Sequence, residues 1–195
     1  MLNGRHCCAS AGTEAGDPEE IAPVEGGTED YSRSNAPKVI KSRDIEEFSY
    51  EFDNSSDVYD ESEHIENGNY SLSLRRLEGG RAALKVDFYN RFNEKFSVET
   101  EVPAAALEEL QRIIEAEALA KINGWHKRNS ALGCSFELRV LYASRERLSA
   151  SGEGGCSVVP DQLDSAPFLK LFKRLSEAAG CRFGLDDEAA EEESE

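Results

Sequence analysis

Residues 44–53 read Asp-Ile-Glu-Glu-Phe-Ser-Tyr-Glu-Phe-Asp, and the order of rings and polar groups in this stretch decides the fold class. Phe48, Tyr50 and Phe52 alternate with Ser49, Glu51 and Asp53. Successive side chains of a strand point to opposite faces, so three rings share one face and the polar groups the other. The same period of two returns downstream. Tyr70, Leu72 and Leu74 share a face, then Leu84, Val86 and Phe88, then Phe96 and Val98 with Thr100. Turn signals separate these runs: Asn67-Gly68, Glu78-Gly79-Gly80 and the stretch 90–94. Connections this short predict an antiparallel meander of four strands.

The period changes at Pro103. Proline suits the first helical position because its missing N–H would have no helical partner there. Leu107, Leu110, Ile113, Ile114 and Leu119 then recur at helical spacing, and Asn123-Gly124 reads as the helix end. After a loop over 125–133, Phe136, Leu138, Val140 and Tyr142 mark a fifth strand. Ser144-Arg145-Glu146 turns the chain into a sixth, over 147–152. The stretch 153–162 is glycine-rich and loop-like. Phe168, Leu171, Phe172 and Leu175 then mark a second amphipathic helix, with Ser165 as a candidate cap two residues before Pro167. The expected architecture is α+β: an antiparallel sheet of about six strands with two helices packed on one face, the other face polar.

The chain has 195 residues, of which 39% are hydrophobic and 31% charged. The apolar deficit sits at the ends. Residues 1–43 show no hydrophobic period and read as a disordered N-terminal arm. Residues 184–195 read as an acidic disordered tail, since a run of like charges repels itself. That leaves 44–183 as a single domain, long enough to bury its own core.

The formal net charge is −17. Such a surface repels phosphate backbones and anionic membranes, which argues against nucleic-acid and membrane binding; solubility accounts for the charge, with a basic protein partner or mimicry of nucleic acid as the alternative. Five cysteines, Cys7, Cys8, Cys134, Cys156 and Cys181, fit neither complete internal pairing nor a common zinc spacing. Reduced thiols in a reducing compartment are the expectation. No stretch has the length and apolarity of a membrane span. Nor is there a cofactor fingerprint: Gly152, Gly154 and Gly155 are not followed by the helix start that a phosphate cradle requires. No metal site is expected either. His64 lies among Asp60, Glu61, Glu63 and Glu66, but the spacing matches no calcium loop.

Two stretches stand out as candidate binding residues. The first is Trp125, His126, Lys127 and Arg128, a basic and aromatic patch in an acidic chain. A ring flanked by cations can hold an anionic or planar ligand, although a lone Trp more often plugs the end of a sheet. The second is Ser149 and Ser151, at the end of the sixth strand. A thiolate–imidazole pair of Cys134 with His126 can be drawn, but no third residue is indicated to orient it. No catalytic residue is assigned.

The run Asn123-Gly124-Trp125-His126-Lys127, then Ser135-Phe136-Glu137-Leu138, Ser149-Ala150-Ser151-Gly152, Pro160 and the closing Phe168 with Leu171-Phe172 resembles an uncharacterised α+β domain family of anaerobic, gut-associated bacteria. The likeness spans 44–179. It implies a strand meander, a helix ending in a Trp or Phe loop, a hairpin ending in Ser-Ala-Ser-Gly and a final helix, with no assigned activity. Many members look secreted or lipid-anchored. Here Cys7 and Cys8 precede a flexible linker, as in a lipoprotein, yet no apolar segment precedes them, so a cytoplasmic location is expected. A lipid-anchored or secreted protein is the alternative if the true start lies upstream.

The function expected from these features is that of a non-enzymatic binding or accessory domain. The alternatives are a thiol-dependent hydrolase using Cys134 and His126, and an acidic decoy or inhibitor of a basic partner.

Overall fold

The computed structural model describes residues 28–53, 66–130 and 133–185. It is α+β, with eight strands in one mixed sheet and two α-helices. The strands are β1 (Thr28–Asp30), β2 (Ile45–Asp53), β3 (Asn69–Arg76), β4 (Arg81–Tyr89), β5 (Lys95–Pro103), β6 (His126–Asn129), β7 (Ser135–Tyr142) and β8 (Arg147–Glu153). The helices are α1 (Ala105–Ala116) and α2 (Ala166–Ala178). Across the sheet the order is β1-β6-β8-β7-β2-β3-β4-β5. Only β6 with β8 is parallel; every other pairing is antiparallel.

The predicted meander is present as β2 to β5. Its register puts Phe52 opposite Tyr70, Tyr70 opposite Phe88 and Phe88 opposite Phe96. Directly opposed side chains are the pairs that stabilise a sheet, and here they form a continuous aromatic row. Ring centroids are 5.5 Å apart for Phe52 and Tyr70, 4.8 Å for Tyr70 and Phe88, and 5.0 Å for Phe88 and Phe96. Phe183 closes the row 5.1 Å from Phe96. On its other side Phe52 is paired with Phe136, and Phe136 with Gly152. A Cβ on Gly152 would lie 2.7 Å from the Phe136 ring, so the ring occupies the space that a side chain there would need.

The helices cover this face of the sheet. Phe168 of α2 stacks on Phe48 at 5.6 Å and meets Tyr50 edge-on at 5.3 Å. Leu107, Leu110 and Ile114 of α1 join the same core. On the other face Ser49, Glu51, Ser71 and Ser73 are half-buried or exposed, with no helix among the described residues over them.

Several expectations need correction. The sheet has eight strands rather than about six, and it is mixed rather than antiparallel. The two additional strands are β1 and β6. β1 lies in the segment expected to be a disordered arm, and β6 in the segment expected to be a loop. Both are short and polar, and they pair through main-chain groups that leave no mark on the hydrophobic pattern. Residues 31–44, hereafter the strap, follow β1 and are held by hydrogen bonds described below. Pro103 ends β5 instead of starting α1. α1 stops at Ala116, and Ala118 takes a left-handed conformation (φ 52°) before a short 3-10 turn over Leu119–Ile122. Asn123-Gly124 therefore ends that turn. Ser165 is at the cap position of α2, but the Asp164 carboxylate accepts the Ala166 N–H in its place. Residues 1–27, 186–195 and the loop 54–65, with His64 and its acidic neighbours, lie outside the described residues.

Phe88 is in the middle of the aromatic row and 2% exposed. Phe88→Ala is expected to cost about 3–5 kcal/mol, as for other buried Phe truncations, measured by urea denaturation. A loss below about 1 kcal/mol would mean that the row does not hold the sheet.

Candidate functional site

The strap crosses the β6–β8–β7 end of the sheet on a series of hydrogen bonds. Tyr31 N–H donates to the His126 carbonyl and Arg33 N–H to the Gly124 carbonyl, both at 2.8 Å. His126 N–H donates back to Ser32 Oγ at 3.0 Å. At the far end, the Lys41 and Ser42 N–H groups donate to the two carboxylate oxygens of Glu146, at 3.0 and 2.9 Å.

Between these ends lies Asn123, a buried polar residue with 4% exposure. Its Nδ2 donates to the Pro37 carbonyl at 2.9 Å and to the Arg147 carbonyl at 3.1 Å. Its Oδ1 accepts from Ser149 N–H at 2.9 Å. Its carbonyl accepts from Lys38 Nζ at 2.5 Å. One carboxamide thus joins strap, β8 and the end of the 3-10 turn. Gly124, next in sequence, has φ 79°, and a Cβ there would meet Ala36 at 2.5 Å. Both the left-handed backbone and the close strap call for glycine at this position.

Trp125 is half-buried against the core, and its Nε1–H donates to the Val158 carbonyl at 2.8 Å. Lys127 Nζ caps the ring at 4.0 Å. Lys127 also meets Asp30 of β1 at 3.7 Å, and Arg128 meets Glu153 at 3.4 Å. The indole is therefore held from its edge and covered on a face, and both neighbouring cations have carboxylate partners.

His126 and Ser151 are brought together: they are register partners in the parallel pair, and Nδ1 is 2.8 Å from Ser151 Oγ. Burial and the Arg33 guanidinium hold the imidazole pKa below its ordinary value, against the opposing pull of Glu137. Cys134 is elsewhere. It is 7% exposed and shares the alternation of Phe136 and Leu138, which face the core. Ser151 pairs with Glu137, on the opposite alternation. The histidine and the thiol thus belong to different faces, and the imidazole bonds a serine.

Ser149 lies on the uncovered face, where it lines a groove of about 910 Å³. The floor is β2, β7 and β8, with Ser49, Leu141 and Ser149; the wall is the strap, with Asn35, Ala36 and Pro37. Arg33, Arg139, Arg145 and Arg147 converge on it. Arg139 pairs with Glu137. Arg33, Arg145 and Arg147 have no carboxylate partner among the described residues. Glu47 also lines the groove, and Glu146 is committed to the strap amides. The sequence reading included Ser149 but missed these arginines. They come from the supposed arm, a hairpin turn and the exposed side of two strands, and the docked strap adds Arg33 to the three of the β7–β8 hairpin. The Arg145 turn was the available signal.

No known family model matches this chain, and no curated protein matches it in sequence.

Two predictions follow from the strap geometry. Asn123→Ala leaves the Ser149 N–H and the Pro37 and Arg147 carbonyls without their partner, each a loss of about 1–3 kcal/mol when buried. A destabilisation of at least about 2 kcal/mol is expected by chemical denaturation. An unchanged midpoint would show that water replaces the amide.

Glu146 is held below its ordinary value of 4.5 by the Lys41 N–H, then by the Ser144 hydroxyl and the Ser42 N–H. A lowered carboxylate contributes fully above its unfolded value, and the contribution is lost as pH falls through the folded value. Hydrogen exchange at Lys41 and Ser42 should therefore show full protection at neutral pH, lost only below about pH 4.5. Glu146→Gln should show the unprotected behaviour already at pH 7. Equal protection in both proteins would remove the carboxylate from the clamp.

Proposed function

We propose that this chain is a non-enzymatic binding module whose contact surface is the groove between the strap and the uncovered face of β7 and β8. The observation that carries this reading is the groove itself. Its volume falls in the range typical of small-ligand sites. Its floor is regular strand, so the side chains that line it are held on rigid elements. It also gathers arginine side chains in a chain of net charge −17, where solubility alone gives no reason to collect positive charge.

A thiol-dependent activity has less support, because Cys134 is buried on the helix side of the sheet and His126 meets Ser151. The patch at Trp125, Lys127 and Arg128 serves this reading as the groove's support: its ring and cations hold β1 and β6 in place. Of the binding residues expected from β6 and β8, Ser149 lines the groove, while His126 and Ser151 bond each other outside its lining.

The test is a thermal-shift panel of neutral, cationic and anionic metabolites on the full chain and on Ser149→Trp, whose larger side chain fills the groove. A ligand present at one hundred times its Kd adds about 2.7 kcal/mol, which is several degrees for a domain of this size. Compounds that raise the melting temperature of the native chain should leave the variant unmoved. If no compound shifts the native chain, or if the variant responds equally, the groove is not the contact surface.

A further inference from the structure

Resting on the groove as the contact surface, we infer that it takes a small organic anion carrying phosphate or carboxylate groups, bound by Arg33, Arg145 and Arg147. Guanidinium forks match the two oxygens of such groups and are always charged. The three come from separate elements, the strap, the β7–β8 turn and β8, and all line one concavity. Groove carboxylates offset them only in part: Glu146, whose oxygens are taken by the Lys41 and Ser42 amides and the Ser144 hydroxyl, and Glu47 are two negative charges against three arginines.

A further observation concerns the backbone at Arg145. The turn closes with the Arg145 N–H donating to the Tyr142 carbonyl at 2.8 Å and the Tyr142 N–H to the Glu146 carbonyl at 3.0 Å. This is a three-residue hairpin loop whose last position takes a left-handed conformation, and Arg145 has φ 70°. Glycine is the unstrained residue there. An arginine in that conformation is held against its own preference, as Asn93 and Ala118 are in their turns, so Arg145→Gly can remove the guanidinium without straining the hairpin.

The size of the anion follows from the charge around it. At physiological salt the field of distant charges fades within about 8 Å, so a ligand confined to the groove meets mainly the arginines. A nucleic acid or other long polyanion would extend past the groove onto the surface of a chain of net charge −17 and be repelled. Seryl side chains on the floor, Ser49 and Ser149, add hydroxyl donors suited to the remaining oxygens of a phosphate or carboxylate.

The experiment is isothermal titration of the full chain with pyrophosphate and, separately, citrate, with glucose as the neutral control. Each is run at low salt and again at 0.5 M salt, about 4 Å of screening. Saturable binding of pyrophosphate, citrate or both is expected, weakened at least tenfold by the added salt and absent for glucose. The arm that binds more tightly distinguishes phosphate from carboxylate chemistry. Arg145→Gly should keep or raise the melting temperature, because it relieves the backbone, while binding falls at least tenfold. Arg147→Gln should weaken binding similarly without unfolding the chain. Absence of binding by both anions, or equal binding by native chain and both variants, overturns the inference. If the anions fail while a neutral compound shifts the native chain and not Ser149→Trp, the groove stands as the contact surface and only its ligand class is wrong.

Discussion

The carboxamide of Asn123 is the interaction on which the candidate site depends. It is buried, and its hydrogen bonds join main chain of two separate stretches: Pro37 in the strap, and Arg147 and Ser149 in β8. Apolar contact would hold these segments near one another without setting their register. An amide sets both, because its donors and acceptor sit in fixed geometry and each unmade bond in a buried place is costly. The groove exists because this residue holds the strap against the hairpin, with Glu146 fastening the other end.

The division of labour between the two halves of the sheet follows from their side chains. β2 to β5 are joined by opposed aromatic rings, so that half is held by packing. β1 and β6 have polar side chains, β8 adds only Leu148 and Ala150 to the core, and the three are joined by main-chain bonds and by Asn129, which reaches Thr28 and Ser157. The first half supplies the core. The second supplies a polar surface that a partner can approach, at the cost of fewer buried apolar contacts.

The same division explains what could be read from the sequence. The meander, β7, β8 and both helices were legible because burial writes a period of two or of about three and a half into the apolar residues. β1 and β6 were not, since Thr28-Glu29-Asp30 and His126-Lys127-Arg128-Asn129 show no apolar alternation. The stop of α1 at Ala116 was also hidden, because Leu119 and Ile122 continue the apolar stripe through the 3-10 turn although Ala118 breaks the backbone. For the site, the sequence drew attention to Trp125 through Arg128 by composition. The fold shows Lys127 and Arg128 already paired with Asp30 and Glu153. Of the arginines without such partners, Arg145 and Arg147 are two residues apart, but nothing local links either to Arg33.

The strap's contacts span long stretches of chain: Lys41 is 105 residues from Glu146, and Ser32 is 94 from His126. The meander instead closes loops between neighbouring strands, at little entropic cost each. During folding, then, the ring-lined half has reason to assemble first and the strap to dock last. In the finished protein the order runs backwards, with the last piece to dock the first to lift, and the core would lose only the Ile40 contact. Lifting the strap would withdraw Arg33 from the groove while Arg139, Arg145 and Arg147 stay on the β7–β8 hairpin.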